Sequence, residues 1–341
     1  MNKYVLGLML TVAVLAAGAG AAYATLTPTS SLVPTITINT PSGPLLTLKT
    51  SELAALPQQT VTVSINGTPT TEQGPSLSAL LTFAGVQYSS ACKNDELRYW
   101  IQATDAKAEA VTLTAGELDP GFGNRPAILS ISENGKFLTS KGARLVVPND
   151  SGARDLQSIR VITVGRAPAQ IADPPSCATS GAVSTPPVGS LMINGDVSSP
   201  TTYTFAQLQA MPQASQTVSF LSGTTPTTLS ETGPSIWSLV LAAKPKFLAC
   251  DKNDELRFVV EVTSSQDGYA ALMSLAELDP TLNNTMSLAS LVENGASQAS
   301  QGPRSTVPGD VKGGRYVSGA AVITVLRPPT ELHIPSCQKS K

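Results

Sequence analysis

The feature that most constrains this fold is an internal duplication. Residues 304–325, RSTVPGDVKGGRYVSGAAVITV, repeat the order of residues 144–164, RLVVPNDSGARDLQSIRVITV. Both begin with Arg, reach Val-Pro, place an Asp two residues after the Pro, and pass a glycine turn to a second Arg before V-I-T-V. The motifs NDELR, ELDP and ENG also occur twice, each pair about 160 residues apart. A long unit that occurs twice predicts two copies of one domain rather than a solenoid of short repeats.

Each copy has the pattern of strands interrupted by short helices. Residues 59–65 alternate with period two, which predicts a strand, and a Gly-Pro pair opens a helix over 76–84 with its leucines on one face. The second copy repeats this order, with a strand over 216–221 and a helix over 235–242. Because the helices lack βαβ spacing, the pattern predicts an α+β fold with mixed sheets and short helices.

The beginning of the sequence has the pattern of a signal peptide. Lys3 precedes the apolar run 4–17, and residues 22–24, Ala-Tyr-Ala, form an A-x-A cleavage pattern. The alternative is an uncleaved membrane anchor, since residues 4–22 approach the length of a span. No later stretch is apolar enough to cross a bilayer. We therefore expect an exported protein, periplasmic or extracellular, without a membrane span after cleavage.

The duplication and the signal pattern set the expected domain boundaries. We assign residues 1–24 to the signal peptide, 34–177 to the first domain, 178–188 to a linker with Ser, Thr and Pro, and 189–337 to the second domain. Each copy is long enough to bury its own core.

Composition excludes several classes of function. Charged residues make up 13% of the chain and the net charge is −2, so no basic field for nucleic acid is expected. The one histidine, His333, excludes a Ser-His-Asp site in each copy and a multi-histidine zinc site. Gly-rich phosphate loops are absent from the sequence, so nucleotide binding has no support. We assign no catalytic or metal-ligating residue.

The four cysteines fall at matching positions of the two copies: Cys92 and Cys177 in the first, Cys250 and Cys337 in the second. Four cysteines allow three pairings, and the duplication favours one disulfide within each copy. Export would place the chain where such bonds persist. Metal binding is the alternative, but no CxxC spacing supports it.

One ordered set of motifs is most complete in the second copy. It runs Gly-Pro with a Trp-bearing helix, L-R-F, D-G-Y, A-E-L-D-P, E-N-G and R-x-x-V-P-G-D-x-x-G-G-R-Y-V over residues 191–325. Residues 36–164 carry the set more loosely. This order resembles the molybdopterin-binding oxidoreductase domain of the sulfite oxidase group, in two tandem copies. The resemblance implies an α+β fold and a pterin held partly by basic side chains.

The resemblance also implies three cofactor-binding arginines. In that family an Arg before Val-Pro-Gly helps to hold the pterin phosphate, and Arg144 and Arg304 match its position. Arg315 matches the basic residue after the glycine turn, as does Arg154. An arginine suits a phosphate because its fork of donors is fixed and always charged. The alternative is an edge charge paired with the Asp that follows each Val-Pro.

The chain departs from the family's pattern at the metal ligand. The family's enzymes bind molybdenum through a cysteine thiolate in a C-x-G-N turn, and the matching turns read S-I-N-G at 64–67 and F-L-S-G at 220–223. Neither has a cysteine, and a serine at its ordinary pKa does not replace a soft thiolate. We therefore expect no bound molybdenum, and molybdopterin is a candidate cofactor by resemblance alone.

Two further motifs have a functional and a structural interpretation. The pairs Glu117/Asp119 and Glu277/Asp279 could act as acid and base, but capping of a helical turn before the next proline is favoured. Residues 267–269, Asp-Gly-Tyr, match the family's motif, but a turn with a packed tyrosine is the favoured interpretation.

Three hypotheses about function remain open. The leading one is an exported binding or scaffold module whose partner is a small anion, a pterin or another protein. The second is a molybdopterin-dependent oxidoreductase with an unusual ligand set, resting on Arg304, Asp310 and Arg315. The third is a structural cell-surface module that presents Ser- and Thr-rich loops. Whether the chain is an enzyme is not decided by the sequence.

Overall fold

The structure of the protein is a computed structural model. It describes residues 34–168 except 41, 66, 139–140 and 151, and residues 186–329 except 283–285. The predicted signal peptide, most of the predicted linker, Cys177, Cys337 and His333 lie outside the described residues. We call residues 34–168 the first half and residues 186–329 the second half.

The first half consists mainly of strands. They are β1 Thr35–Thr40, β2 Gly43–Lys49, β3 Gln58–Ile65, β4 Thr68–Pro75, β5 Tyr99–Asp105, β6 Ala110–Thr114, β7 Ile128–Ser130, β8 Ser132–Glu133, β9 Lys136–Phe137, β10 Arg144–Val146 and β11 Ile159–Arg166. The α-helices are α1 Leu77–Phe83 and α2 Ala115–Leu118, and 3-10 turns lie at Glu52–Ala55 and Asp95–Arg98.

The second half repeats this composition. Its strands are β12 Leu191–Gly195, β13 Thr201–Tyr203, β14 Ala214–Ser222, β15 Thr225–Gly233, β16 Val259–Ser264, β17 Ala270–Ser274, β18 Ala289–Ser290, β19 Val292–Glu293, β20 Ala296–Ser297, β21 Arg304–Ser305 and β22 Ala320–Leu326. Its helices are α3 Phe205–Gln209, α4 Ile236–Ala242 and α5 Leu275–Leu278, with 3-10 turns at Asp254–Arg257 and Gly313–Arg315.

Each half has a five-stranded mixed sheet with a corresponding strand order. The orders are β2-β1-β11-β5-β6 and β13-β12-β22-β16-β17. One pair in each sheet is parallel, β1 with β11 and β12 with β22, and the others are antiparallel. Four-stranded sheets, β3-β4-β8-β9 and β14-β15-β19-β20, and the two-stranded pairs β10-β7 and β18-β21 complete the halves. Mixed sheets with short helices agree with the α+β class predicted from the sequence.

The helix predicted over 76–84 is present as α1. The Ser76 side chain accepts a hydrogen bond from the backbone N–H of Ala79, which caps the helix, and Leu77, Leu80 and Leu81 are buried as its periodicity predicts. Burying each such leucine stabilises the fold by roughly 1.5–3 kcal/mol. The prediction of this helix is therefore confirmed.

The Gly-Pro pair before α1 and α4 has a packing reason. A Cβ atom on Gly74 would lie 1.9 Å from the carbonyl oxygen of Leu129, and one on Gly233 would lie 2.1 Å from that of Ala289. No side chain fits at such a distance. The glycine lets β4 approach β7, and β15 approach β18, at the start of each helix.

The two halves share a buried boundary. Trp100 of β5 packs with Val259 and Leu272 of the second half. The Arg257 guanidinium donates from Nη2 to the carbonyl of Ala108 at 2.7 Å, and the Thr112 hydroxyl donates to the carbonyl of Arg257 at 3.0 Å. Because these donors and acceptors are buried, loss of either would leave an unsatisfied polar group. No helix in the described part of the chain has both the length and the apolar character needed to cross a bilayer.

Candidate functional site

A cleft of about 700 Å³ opens on the second half, and the first half forms one of its walls. The second half contributes the end of β14, the turn at 266–269 and the segment 312–316. The first half contributes residues near its 3-10 turn at Asp95–Arg98 and near Phe122. The turn F-L-S-G at 220–223, where the sequence resemblance would place a metal-binding turn, lines this cleft.

Arg304 is the predicted site residue that lines the cleft. Its Nη1 donates to the Glu293 carboxylate, and the same nitrogen lies 3.7 Å from Oε1 of Glu231. Among the described residues, no group accepts a hydrogen bond from its Nη2. The side chain is 16% exposed. Arg304 therefore keeps one edge of its guanidinium for an acceptor in the cleft.

Two aromatic rings hold this guanidinium in place. The Cζ atom of Arg304 lies 5.5 Å from the ring centroids of both Phe220 and Tyr316. The two rings pack with their centroids 4.4 Å apart and their planes tilted by 31°. Contact of a cation with aromatic faces is attractive and restricts the arginine to few rotamers. The arrangement presents a cation beside flat apolar surface.

Gly313 makes the position of Phe220 possible. A Cβ atom on Gly313 would lie 2.6 Å from the Phe220 ring, so a larger residue would displace the ring. Tyr316 is fixed from the other side, because its hydroxyl donates to the carbonyl of Val307 at 3.0 Å. Burial and the nearby Asp310 carboxylate raise the pKa of Tyr316, which keeps the hydroxyl protonated as a donor.

Tyr269 joins the two walls of the cleft. Its hydroxyl donates to the carbonyl of Gly314 at 2.6 Å and accepts from Nδ2 of Asn94 at 2.8 Å. Burial raises its pKa to about 12. The backbone N–H of Tyr269 donates to Oδ1 of Asp267 at 3.0 Å, so the interpretation of residues 267–269 as a turn with a packed tyrosine is confirmed. Lys93 lies above the ring, with Nζ 5.7 Å from its centroid.

Arg144, the matching residue of the first half, does not line this cleft. It is 8% exposed. Its Nη1 lies 2.9 Å from Oε1 of Glu72 and 3.7 Å from Glu133, and its Nη2 lies 3.0 Å from Oδ2 of Asp155. Its role in holding a cofactor stays a prediction from the resemblance.

Arg315 is buried in the junction of the halves, away from the large cleft. Its Nη1 donates to Glu277 at 2.8 Å, and its Nε and Nη2 donate to Asp310 at 2.9 and 2.5 Å. It borders a smaller pocket of about 350 Å³ together with Arg125. The pairing with Asp310 is the alternative that the sequence left open. Of the three residues that support the redox hypothesis, only Arg304 lies in the cleft.

The glutamates of the two ELDP motifs form ion pairs. Glu117 accepts from Arg154 at 2.6 Å and lies 3.0 Å from Arg125. Burial alone would raise its pKa, but these arginines outweigh burial and lower it. The hydroxyls of Thr114 and Ser274 cap α2 and α5, so the expectation that these glutamates cap the turn is wrong.

The aspartates of the same motifs do hold the turn that follows. Oδ1 of Asp119 accepts from the backbone N–H of Gly121 at 2.6 Å, and Oδ1 of Asp279 accepts from that of Thr281 at 2.8 Å. These two carboxylates therefore hold the loop after each helix and do not cap α2 or α5 as predicted.

The donor groups of the cleft do not fit molybdenum. Phe220 stands at the first position of the turn where the family has its cysteine, and its ring packs against Tyr316. In the part of the chain that the structure describes, no three His, Cys, Asp or Glu side chains come together as a metal-binding group. A hydrocarbon ring offers no lone pair to a metal.

The cysteines are engaged elsewhere. Cys92 and Cys250 are both disulfide-bonded, and none of the described cysteines is free. Cys177 and Cys337 lie outside the described residues, so the predicted pairing stays a prediction.

The sequence did not reveal the aromatic wall of the site. Phe220 and Tyr316 stand where the first copy has Ser64 and Asp155. This difference between the copies is visible in the alignment of the repeats. Its meaning requires the contact of β14 with the residue after the 3-10 turn at Gly313–Arg315, which lies far away in sequence.

Comparison with known proteins gives distant similarity to solved structures alone. No family model matches the chain, and no curated protein matches it. Among solved structures 29 chains match, including the crystal structure of the sulfane dehydrogenase SoxCD from Paracoccus pantotrophus, at 19% identity and a TM-score of 0.33. The match covers 47% of this chain and 44% of that chain, so it spans less than half of either. This likeness says nothing about the chemistry of the cleft.

Proposed function

We propose that the protein is an exported binding module made of two tandem sulfite-oxidase-like domains, and that the cleft of the second domain holds a planar organic anion. The observation that carries the proposal is Arg304, which lines the cleft with an unpaired guanidinium edge beside two aromatic rings that pack on each other. The corresponding strand order of the two halves supports the tandem arrangement.

The open edge of Arg304, rather than the net charge of the cleft, favours an anion. Glu231 does not occupy this edge, because its Oε1 lies 3.7 Å from Nη1 of Arg304, beyond hydrogen-bond distance. The lining holds Lys93 and Lys312 besides Arg304, and three carboxylates, of Glu96, Asp119 and Asp267, balance these cations. Arg304 is therefore the group that would select the anion. A carboxylate or phosphate would accept a charge-assisted hydrogen bond from Arg304. Such a bond is stronger in a partly buried site than in bulk water.

The aromatic residues favour a flat ligand. Phe220, Tyr316 and Tyr269 give the cleft an aromatic wall, although Phe220 and Tyr316 are mostly buried and pack on each other. Contact of an aromatic ligand with such rings contributes about 0.5–1.5 kcal/mol beyond the area buried. A pterin that carries a carboxylate or phosphate has both properties. The sequence resemblance also implies a pterin. We propose that it is bound without a metal, because Phe220 stands where the thiolate ligand would be.

Analysis of protein purified from its native host tests the proposal. Metal analysis and pterin fluorescence of the denatured protein would measure what the cleft carries. We expect a bound organic anion and molybdenum far below one atom per chain. Stoichiometric molybdenum would contradict the proposal and support a redox enzyme with an unusual ligand set.

A pair of variants links the bound group to the cleft. Arg304→Ala should lose the pterin or other organic anion, because no other guanidinium with an unpaired edge lines the cleft in the described residues. Lys136→Ala, on the exposed β9, is the control and should retain it. Equal content in the two variants would place the ligand elsewhere.

A further inference from the structure

The two halves build their arginine sites from equivalent parts. Arg144 begins β10, which pairs with β7, and Arg304 begins β21, which pairs with β18. Each arginine lies beside a buried glutamate. Oε2 of Glu72 accepts from the Ser130 hydroxyl at 2.5 Å, and Oε2 of Glu231 accepts from the Ser290 hydroxyl at 2.6 Å. The parts are therefore equivalent, although Nη1 of Arg144 lies 2.9 Å from Glu72 whereas Nη1 of Arg304 lies 3.7 Å from Glu231 and pairs with Glu293.

The backbone opposite each arginine is also equivalent. The N–H of Leu145 donates to the carbonyl of Leu156 at 2.8 Å, and the N–H of Ser305 donates to that of Val317 at 3.0 Å. The residues just before these carbonyls are Asp155 and Tyr316. They occupy the same position in the two halves.

The side chains at this position treat the arginine differently. Oδ2 of Asp155 accepts from Nη2 of Arg144 at 3.0 Å, while Oδ1 accepts from the backbone N–H of Val147 at 3.0 Å. Tyr316 instead places its ring 5.5 Å from Cζ of Arg304 and directs its hydroxyl to the carbonyl of Val307. Asp155 therefore accepts from Nη2 of Arg144, whereas Tyr316 provides no acceptor for Nη2 of Arg304.

The Asp155 carboxylate competes with any ligand carboxylate for Arg144. Asp155 is held at hydrogen-bond distance by the fold, so a ligand that reached Arg144 would have to displace a group with a high effective concentration. Displacement would also leave Asp155 as an uncompensated buried charge. No such competitor faces Nη2 of Arg304 among the described residues.

We propose that Tyr316 is the residue that keeps Arg304 open to a ligand, that Asp155 closes Arg144, and that each chain binds one planar anion, in the second half. This inference rests on the proposed function and identifies the residue that decides which copy binds. Tyr316 acts through Arg304 and is a positioning residue.

Titration of the full chain with pterin-6-carboxylate, followed by fluorescence, tests the inference. The wild type should bind one equivalent. Tyr316→Asp should weaken binding at least tenfold, because the new carboxylate reaches Nη2 of Arg304 as Asp155 reaches Arg144. Tyr316→Phe keeps the ring and should retain binding. Asp155→Asn, at the equivalent position of the other half, should leave the affinity of the second-half site unchanged.

A ligand-independent measurement separates this inference from the proposed function. Phenylglyoxal modifies accessible, unpaired arginines, and peptide mass spectrometry reports each site. We expect Arg304 to react faster than Arg144, and Tyr316→Asp to slow Arg304 at least fivefold while thermal unfolding shows a folded protein. Selective reaction of Arg304 without binding of the probe would reject the proposed ligand class alone. Equal reaction of Arg144 and Arg304, or binding unaffected by Tyr316→Asp, would overturn the inference.

Discussion

At the scale of single residues, the junction of the halves is held by buried charges. Arg154 is fully buried and pairs with Glu117 at 2.6 Å and with Asp150, and it lies 3.3 Å from the Ser274 hydroxyl of the other half. The desolvation cost of such ions is offset only while every partner is present. The arginines that follow the glycine turns therefore hold the fold at this junction.

Removing Arg154 should destabilise the protein strongly. Arg154→Ala leaves Glu117 and Asp150 buried with one partner fewer, and we expect the free energy of unfolding to fall by about 3–5 kcal/mol. Urea denaturation measures the change. Lys136→Ala, on an exposed strand, is the control and should change stability by less than about 0.5 kcal/mol. A loss below about 1 kcal/mol for Arg154→Ala would show that the junction is not held by this residue.

Asp310 should make stability depend on pH. Burial raises its pKa from 3.8 to about 6, although Arg315 opposes the shift. A carboxyl whose pKa is higher in the folded state stabilises that state when protonated. Its contribution is present below about pH 4 and is lost as the pH rises through about 6. Asp310→Asn cannot release this proton.

The comparison of wild type with Asp310→Asn isolates that contribution. Between about pH 4 and 6, the free energy of unfolding of the wild type should fall relative to that of the variant, by roughly 1.4 kcal/mol for each unit of pKa shift. Urea denaturation at several pH values measures it. Parallel curves would show that Asp310 keeps its ordinary pKa in the folded protein.

At the scale of elements, α1 and α4 occupy the same position in the two halves but differ at the cap. The Ser76 hydroxyl accepts from the N–H of Ala79, whereas Ser235 makes no side-chain hydrogen bond to its helix. Ser76→Ala should therefore cost about 1 kcal/mol and Ser235→Ala a few tenths. The two thermal midpoints, each compared with wild type, measure this difference. Equal losses would mean that the serine hydroxyls contribute through something other than the cap.

Elements with a local signal were the ones that the sequence predicted well. Helix α1 and strand β3 have their periodicity and their boundaries within the segment itself, so the pattern over 59–65 and 76–84 is sufficient. The ion pairs of these motifs join residues far apart in sequence: Glu117 and Arg154 are 37 residues apart, and Glu277 and Arg315 are 38 apart. Local patterns carry no information about such contacts, which is why a cap was expected where an ion pair forms.

At the scale of the whole molecule, the cleft depends on both halves. Lys93, Asn94 and Phe122 of the first half face Arg304 and Tyr316 of the second across it. The repeat and the resemblance predict Arg304 as a ligand-binding residue. They could not show that Arg144 is closed by Asp155, because that requires the contact of β10 with the chain that follows the glycine turn.

The disulfides give a test of the two-domain organisation. Non-reducing peptide mapping should join Cys92 to Cys177 and Cys250 to Cys337. On the chain-entropy model each such bond destabilises the unfolded chain by up to about 4–5 kcal/mol. A Cys177–Cys250 bond would link the two copies and contradict the predicted domain boundaries.

The most direct test of the central claim is a crystal structure of the full chain with pterin-6-carboxylate bound. We expect the carboxylate within hydrogen-bond distance of Nη2 of Arg304, and the pterin ring against Phe220 or Tyr316, in the second half only. A ligand bound at Arg144 would contradict this expectation. So would a ligand outside the cleft, with both terminal nitrogens of Arg304 paired to a carboxylate of the protein.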